Sequence, residues 1–234
     1  MMNDLRRQTR PAQVAFLHTS PLHIATFDRL RDEMAPDLKI SHAVREDLLC
    51  AAEKAGGVGP GLALKAREAL AGLAGPGVKV VVCTCSTLGP ISEDGEGLAG
   101  FGAGEGVVFM RIDRAMADEA VARGRRVGVC ACLPAALDPA EALVRSSAVR
   151  LGRAVEVRRY LFDEVWPLFR QGRLEDYTQG IADRLMSAMA DVDVLVLAQA
   201  SMAPAVGRCG KGEIPILSSP ESGFRAILRA VAST

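Results

Sequence analysis

Cys85-Ser86-Thr87 ends a run of apolar residues, Val80 to Val82, and stands just before Gly89-Pro90, where a helix can begin. A thiol in that place lies beside free backbone N–H groups and at the positive end of a helix. Both favour thiolate, so the sequence predicts a lowered cysteine pKa and a group able to exchange a proton near neutral pH. Ser86 and Thr87 add hydroxyl donors for a carboxylate or an enolate oxygen. The plainer reading of the same residues is a buried strand cysteine followed by helix-capping hydroxyls.

The chain repeats this arrangement. Residues 80–90 read V-V-V-C-T-C-S-T-L-G-P, and residues 194–204 read V-L-V-L-A-Q-A-S-M-A-P. Gln199 takes the offset of Cys85. A carboxamide cannot be a general acid, but it can hydrogen-bond a carboxyl group or hold a water. Ser201, in the turn that follows, can bind the same carboxyl.

Other residues fall at the ends of apolar runs. His18-Thr19-Ser20 closes the first of them, in a loop expected to border a cleft. His18 titrates in the right range to assist Cys85; the alternative is a histidine tied to a neighbouring loop. Thr19 and Ser20 are candidate carboxylate binders, although Ser20-Pro21 is also an ordinary helix start. His23 and His42 carry no added signal. Cys83 with Cys85, and Cys130 with Cys132, form two C-x-C pairs whose members share a strand face. A four-thiolate zinc site is one reading of them, but zinc knuckles prefer C-x-x-C turns. Cys132 corresponds to Thr19 in the repeat, so it is either a small core residue or a second thiol facing the cleft. Arg111 is placed to steer a carboxylate and Asp113 to cap the next helix. Gly100 to Gly106 precedes a strand rather than following the first one, and so fails as a dinucleotide loop.

Positioning these residues requires strands and helices in alternation. Short apolar runs predict strands at Val14–His18, Leu38–Val44, Val78–Thr84, Val107–Met110, Arg126–Ala131, Val155–Leu161, Val192–Ala198 and Ile214–Leu217. They are non-alternating, as expected of parallel strands covered on both faces. Helices are predicted over Thr26–Met34, Leu62–Leu73, Arg114–Arg123, Ala140–Leu151, Leu174–Met189 and Gly223–Ala232. The repeat extends to four strands in register: 14–21 with 127–134, 38–44 with 155–161, 80–90 with 194–204, and 107–113 with 214–220. The result is an α/β fold of two pseudo-symmetric lobes, each a mostly parallel sheet flanked by helices, with the site in the cleft between them. The first lobe is expected to take residues 11–113 plus 214–234 and the second 114–213, the last helix returning to the first lobe. Gly56–Gly61 and Gly100–Gly106 read as mobile loops, Leu5 to Arg10 as a frayed tail, and Phe162–Phe169 as a segment packed between lobes or at a dimer surface.

Composition narrows the function classes. With 28 basic and 28 acidic residues the formal charge is zero, which argues against nucleic acid or a basic membrane face. No apolar stretch approaches a membrane span, and Val14 to Leu17 is too short for a signal peptide core. The six cysteines lie mostly in predicted strands and read as reduced, cytoplasmic thiols.

The two turn motifs, the tandem lobes and the closing I-P-I-L-S-S-P of residues 214–220 resemble the aspartate/glutamate/hydantoin racemase superfamily, over nearly the whole chain from Val14 onward. The resemblance implies one cysteine from each lobe flanking a small carboxylic acid, with proton removal on one side, return on the other, and no cofactor or metal. Relatives with one surviving cysteine protonate an enolate after decarboxylation. Cys85 matches the first catalytic cysteine and Gln199 stands at the second position. His18 stands where relatives place a residue that assists the first thiol. Ala135-Ala136 replaces hydroxyl residues that grip a carboxylate. The expected function is racemase-like or isomerase-like proton transfer beside a carboxylate through Cys85. The alternatives are a single-thiol decarboxylase or lyase, and a carboxylate-binding protein that has lost catalysis. The resemblance also implies a possible homodimer.

Overall fold

The protein is described from a computed structural model over residues 11–102, 106–210 and 214–234. In the first half, β1 (Val14–His18), α1 (Leu22–Met34), β2 (Ile40–Val44), α2 (Glu46–Ala55), α3 (Pro60–Ala71), β3 (Val80–Cys83), the short α4 (Gly89–Ser92) and α5 (Gly95–Ala99), and β4 (Val108–Arg111) follow in order. The second half runs α6 (Arg114–Arg123), β5 (Arg126–Ala131), α7 (Pro134–Arg150), β6 (Glu156–Leu161), α8 (Trp166–Arg170), α9 (Leu174–Ala188), β7 (Val194–Leu197), a 3-10 stretch (Ala200–Arg208), β8 (Ile216–Ser218) and α10 (Ser219–Ser233).

Two four-stranded sheets form, ordered β2-β1-β3-β4 and β6-β5-β7-β8, with every pairing parallel. The order is the same once β5 to β8 are laid on β1 to β4, so the sequence repeat is a repeat of topology. Each central strand is apolar on both faces. Val14 and Phe16 join Phe27, Leu30, Phe224 and Ile227 on one side of the first sheet. Ala15 and Leu17 join Leu48, Ala66, Leu70 and Leu98 on the other. The second sheet is covered by α6 and α7 on one face and by α9 and the 3-10 stretch on the other.

The boundary after the second lobe differs from expectation. β8 hydrogen-bonds to β7, with Leu195 opposite Ile216, so residues 214–218 complete the second sheet rather than joining the first lobe. Ladder pairing decides this, and the chain crosses only at α10, whose Phe224 and Ile227 enter the first-lobe core. Helix α2 was not foreseen and α7 begins at Pro134 rather than Ala140. Pro134 at the first helical positions suits a start, since its missing N–H would be unpaired there in any case. The expected Gly56–Gly61 loop shrinks to residues 56–59. Gly56 ends α2 with φ +69°, a left-handed backbone that glycine adopts without strain. Residues 1–10, 103–105 and 211–213, including the Arg-rich start and the centre of the Gly100–Gly106 loop, lie outside the described residues.

Candidate active site

The carboxyl ends of β1, β3, β5 and β7 meet at the junction of the lobes around a chamber of about 30 Å³. Thr19 and Ser20 enter it after β1, Thr84 to Thr87 after β3, Leu133 and Ala136 after β5, and Gln199 to Ser201 after β7. Leu49 of α2 and Trp166 and Phe169 of α8 close it with apolar surface, and His23 of α1 completes the wall. Its free space alone is that of about one water, and the rest of a ligand would lie in the adjoining cavity. A second cavity of about 790 Å³ adjoins it, sharing His23, Phe169, Ala200 and Ser201.

Cys85 and Gln199 therefore sit in one chamber. The Cys85 thiol is 7% exposed and meets the hydroxyls of Thr19 and Thr87 and the N–H groups of Thr87 and Leu88. The expectation of a lowered pKa is reversed: burial pushes the thiol above its ordinary value, and the four donors only partly offset that. Helix α4 spans only four residues and contributes little dipole. The sulfur is consequently held as S–H at neutral pH.

The Gln199 side chain is oriented by the Cys132 N–H, which donates to Oε1 at 2.6 Å. A backbone N–H demands the oxygen, so the amide's own N–H groups are what remains to bind a ligand. Ser86 is not a free donor; its hydroxyl is given to the Ala198 carbonyl of the opposite lobe. Ser201 lines both cavities and shares a 3.0 Å hydrogen bond with the Tyr177 hydroxyl.

Two expectations fail on geometry. His18 is absent from the chamber wall and fully buried, and both ring nitrogens are taken. Thr84 Oγ1 donates to Leu17 O at 3.2 Å and so accepts from His18 Nδ1 at 2.8 Å; His18 Nε2 then accepts from His42 Nδ1 at 2.8 Å. Burial, with the neighbouring His23 and His42, drives its pKa down to about 3. A neutral imidazole with no free nitrogen is a structural group, not a base for Cys85. Cys132 likewise misses the cleft. Its side chain belongs to the second-lobe core and hydrogen-bonds with Tyr177, and burial lifts its pKa to about 12. Leu133, the next residue along the chain, lines the chamber in its place.

The four thiols of the C-x-C pairs divide between the two lobe cores, Cys83 and Cys85 in one and Cys130 and Cys132 in the other. Among the described residues no group of three or more His, Cys, Asp or Glu side chains is placed to hold a metal ion. Asp113 does not cap α6. It receives Arg111 Nε and NH2 at 2.6 and 3.0 Å, a buried pair outside the chamber. Among the described residues no helix is long and apolar enough to cross a membrane.

The comparison of folds decides what this architecture is. A glutamate racemase from Bacillus anthracis superposes with a TM-score of 0.68 at 14% identity, covering 96% of this chain and 83% of that one. Glutamate racemase from Francisella tularensis in complex with D-glutamate gives 0.69 at 13% identity, covering 95% and 81%. The chain shares the fold of these racemases. Arylmalonate decarboxylase also matches, with a TM-score of 0.52 at 16% identity over 94% of this chain and 92% of that one. No protein-family model and no curated protein matches the sequence.

The polarity of the chamber follows from its lining. It holds hydroxyls, one carboxamide and apolar walls, with no Lys, Arg, Asp or Glu among its lining residues. Cys85 and His23 are its only thiol and imidazole. The sequence reading passed over His23, Leu49, Thr84, Leu133 and Phe169 as site residues. Nothing local marks them, because they arrive from helices or from apolar positions that look like core.

Proposed function

We propose that the protein catalyses cofactor-independent proton transfer at the carbon beside a carboxylate of a small acid, with Cys85 as the proton donor. The observation that carries this is the Cys85 thiol among hydroxyl and amide donors, in one chamber with the Gln199 carboxamide at the joint between lobes. In the reaction a malonate-type acid loses CO2, and the electron pair of the broken C–C bond remains on the substrate as an enolate. The electron pair left on carbon takes the Sγ proton, and the thiolate is reprotonated from solvent. Hydroxyls of Thr19 and Thr87 and the Gln199 N–H groups stabilise the enolate oxygens. Two-sided racemisation is disfavoured, because Gln199 cannot titrate and the Cys132 thiol faces the core. A one-sided protonation, of the kind that decarboxylation of a malonate-type acid requires, fits the single thiol.

The test is incubation with small α-substituted carboxylates and malonates in deuterated water, read by NMR for deuterium at the α-carbon and for CO2 release. Cys85→Ala is expected to lower the rate by about 10²–10⁴-fold, the range of a positioned acid. Retention of full activity in that variant would remove Cys85 from the chemistry. Binding without deuterium uptake or CO2 release would leave a carboxylate-binding protein.

A further inference from the structure

We propose that His23 receives the substrate's carboxylate, taking up one proton from solvent as the anion enters the chamber. The inference rests on reading the chamber as a carboxylate site. Both ring nitrogens of His23 are shielded from solvent, and neither has a hydrogen-bond partner. An imidazole in that condition is costly unless something arrives to satisfy it. His18 shows the contrast, with both its nitrogens bonded inside the same lobe. His23 also sits where the small chamber and the large cavity meet, so a ligand passing between them meets its ring.

Charge gives the second argument. The chamber holds no cation for a carboxylate, and His23 is its one lining group that can become one. The guanidinium groups that line the large cavity, Arg29 and Arg225, are already paired with Glu33 at 2.9 Å and Glu221 at 2.6 Å. The groups around His23 are few. His18 lies edge-on at 6.0 Å between ring centroids, with His42 beyond it at the far side of the His18 ring. Cys85 and Thr84 come from the β3 turn, Ser201 from the 3-10 stretch, Tyr177 from α9, and Glu221 and Arg225 from α10. None is a carboxylate in the chamber itself. Burial keeps the free imidazole neutral, with its pKa lowered to about 4. An anion within bonding distance reverses that preference. The proton comes from water and rests on the ring, and no bond in the ligand breaks.

The chain has three histidines, so their imidazole resonances can be assigned directly. Trifluoroacetate serves as a minimal carboxylate and trifluoroacetamide as its neutral control, both read by fluorine NMR. Trifluoroacetate affinity is expected to tighten by up to about tenfold per pH unit as pH falls from about 7 to about 5, the slope of one linked proton. Over the same range the His23 ring signals should move to the imidazolium position only when trifluoroacetate is present. The amide should show neither effect. His23→Gln should flatten the pH dependence, and the ring titration in the unaltered protein stands even if that variant folds poorly. A pH-independent affinity, an unchanged slope in His23→Gln, or no binding at the chamber would each overturn the proposal. Loss of deuterium exchange in Cys85→Ala with an unchanged pH slope in His23→Gln would sink this inference alone. Retained exchange in Cys85→Ala, with His23 still titrating on trifluoroacetate, would sink the catalytic reading alone.

Discussion

Cys85 was legible from its neighbours, but its ionisation was not. The sequence places a thiol in a turn after a buried strand; its burial in the folded protein raises its pKa. Gln199 shows the same division. Its place in the repeat is plain, while its hydrogen bond to the Cys132 N–H needs the folded turn. Gln199→Ala would leave that N–H without an acceptor, at a cost of about 1–3 kcal/mol. Gln199→Glu keeps the acceptor and should lose less of that stability. Urea unfolding of the two variants distinguishes them, and equal stabilities would remove the bond's importance. His18 was misread for a physical reason: a histidine at a strand end looks the same whether its ring faces a cleft or the core.

Among the elements, α2 and α8 do most to build the chamber. They follow β2 and β6, equivalent strands of the two lobes, and they hold each other across the junction. Trp166 Nε1 donates to Glu53 Oε1 at 3.0 Å, and Arg170 donates to Glu53 Oε2 at 3.0 Å. Helix α2 is only ten residues long and was not among the predicted helices. Of the two places expected for Phe162–Phe169, between the lobes or at a dimer surface, the Trp166 contact falls between the lobes. Helix α10 is the other tie, and Gly223 sets how closely it approaches the first lobe. A Cβ there would stand 2.3 Å from the Ile112 carbonyl oxygen. Backbone cannot yield as a side chain does, so Gly223→Ala should destabilise by about 1–3 kcal/mol despite alanine's better helix propensity. An unchanged denaturation midpoint would show that α10 has room to shift.

At the scale of the molecule, buried histidines make stability depend on pH. His18 and His23 have folded pKa values of about 3 and about 4, against 6.5 when unfolded. The unfolded chain therefore binds more protons in the interval between. Their stabilising contribution is complete above pH 6.5 and falls as the solution is acidified towards those folded values. The loss approaches about 1.4 kcal/mol per pH unit for each ring. Urea titrations at about pH 7 and about pH 5 measure it, and His23→Gln should remove one ring's share. A flat profile between those points would mean that water reaches both rings.

The alternation of apolar runs and the internal repeat determined, without any coordinates, an α/β architecture of paired lobes and the turn that carries Cys85. Strand periodicity and turn chemistry are local properties, and local properties survive in one dimension. Which histidine borders the chamber, where the Cys132 thiol points, and how far Cys85 ionises were decided only by tertiary structure. Those depend on what the other lobe and the helices place within a few ångströms, and residues from opposite halves of the chain supply it.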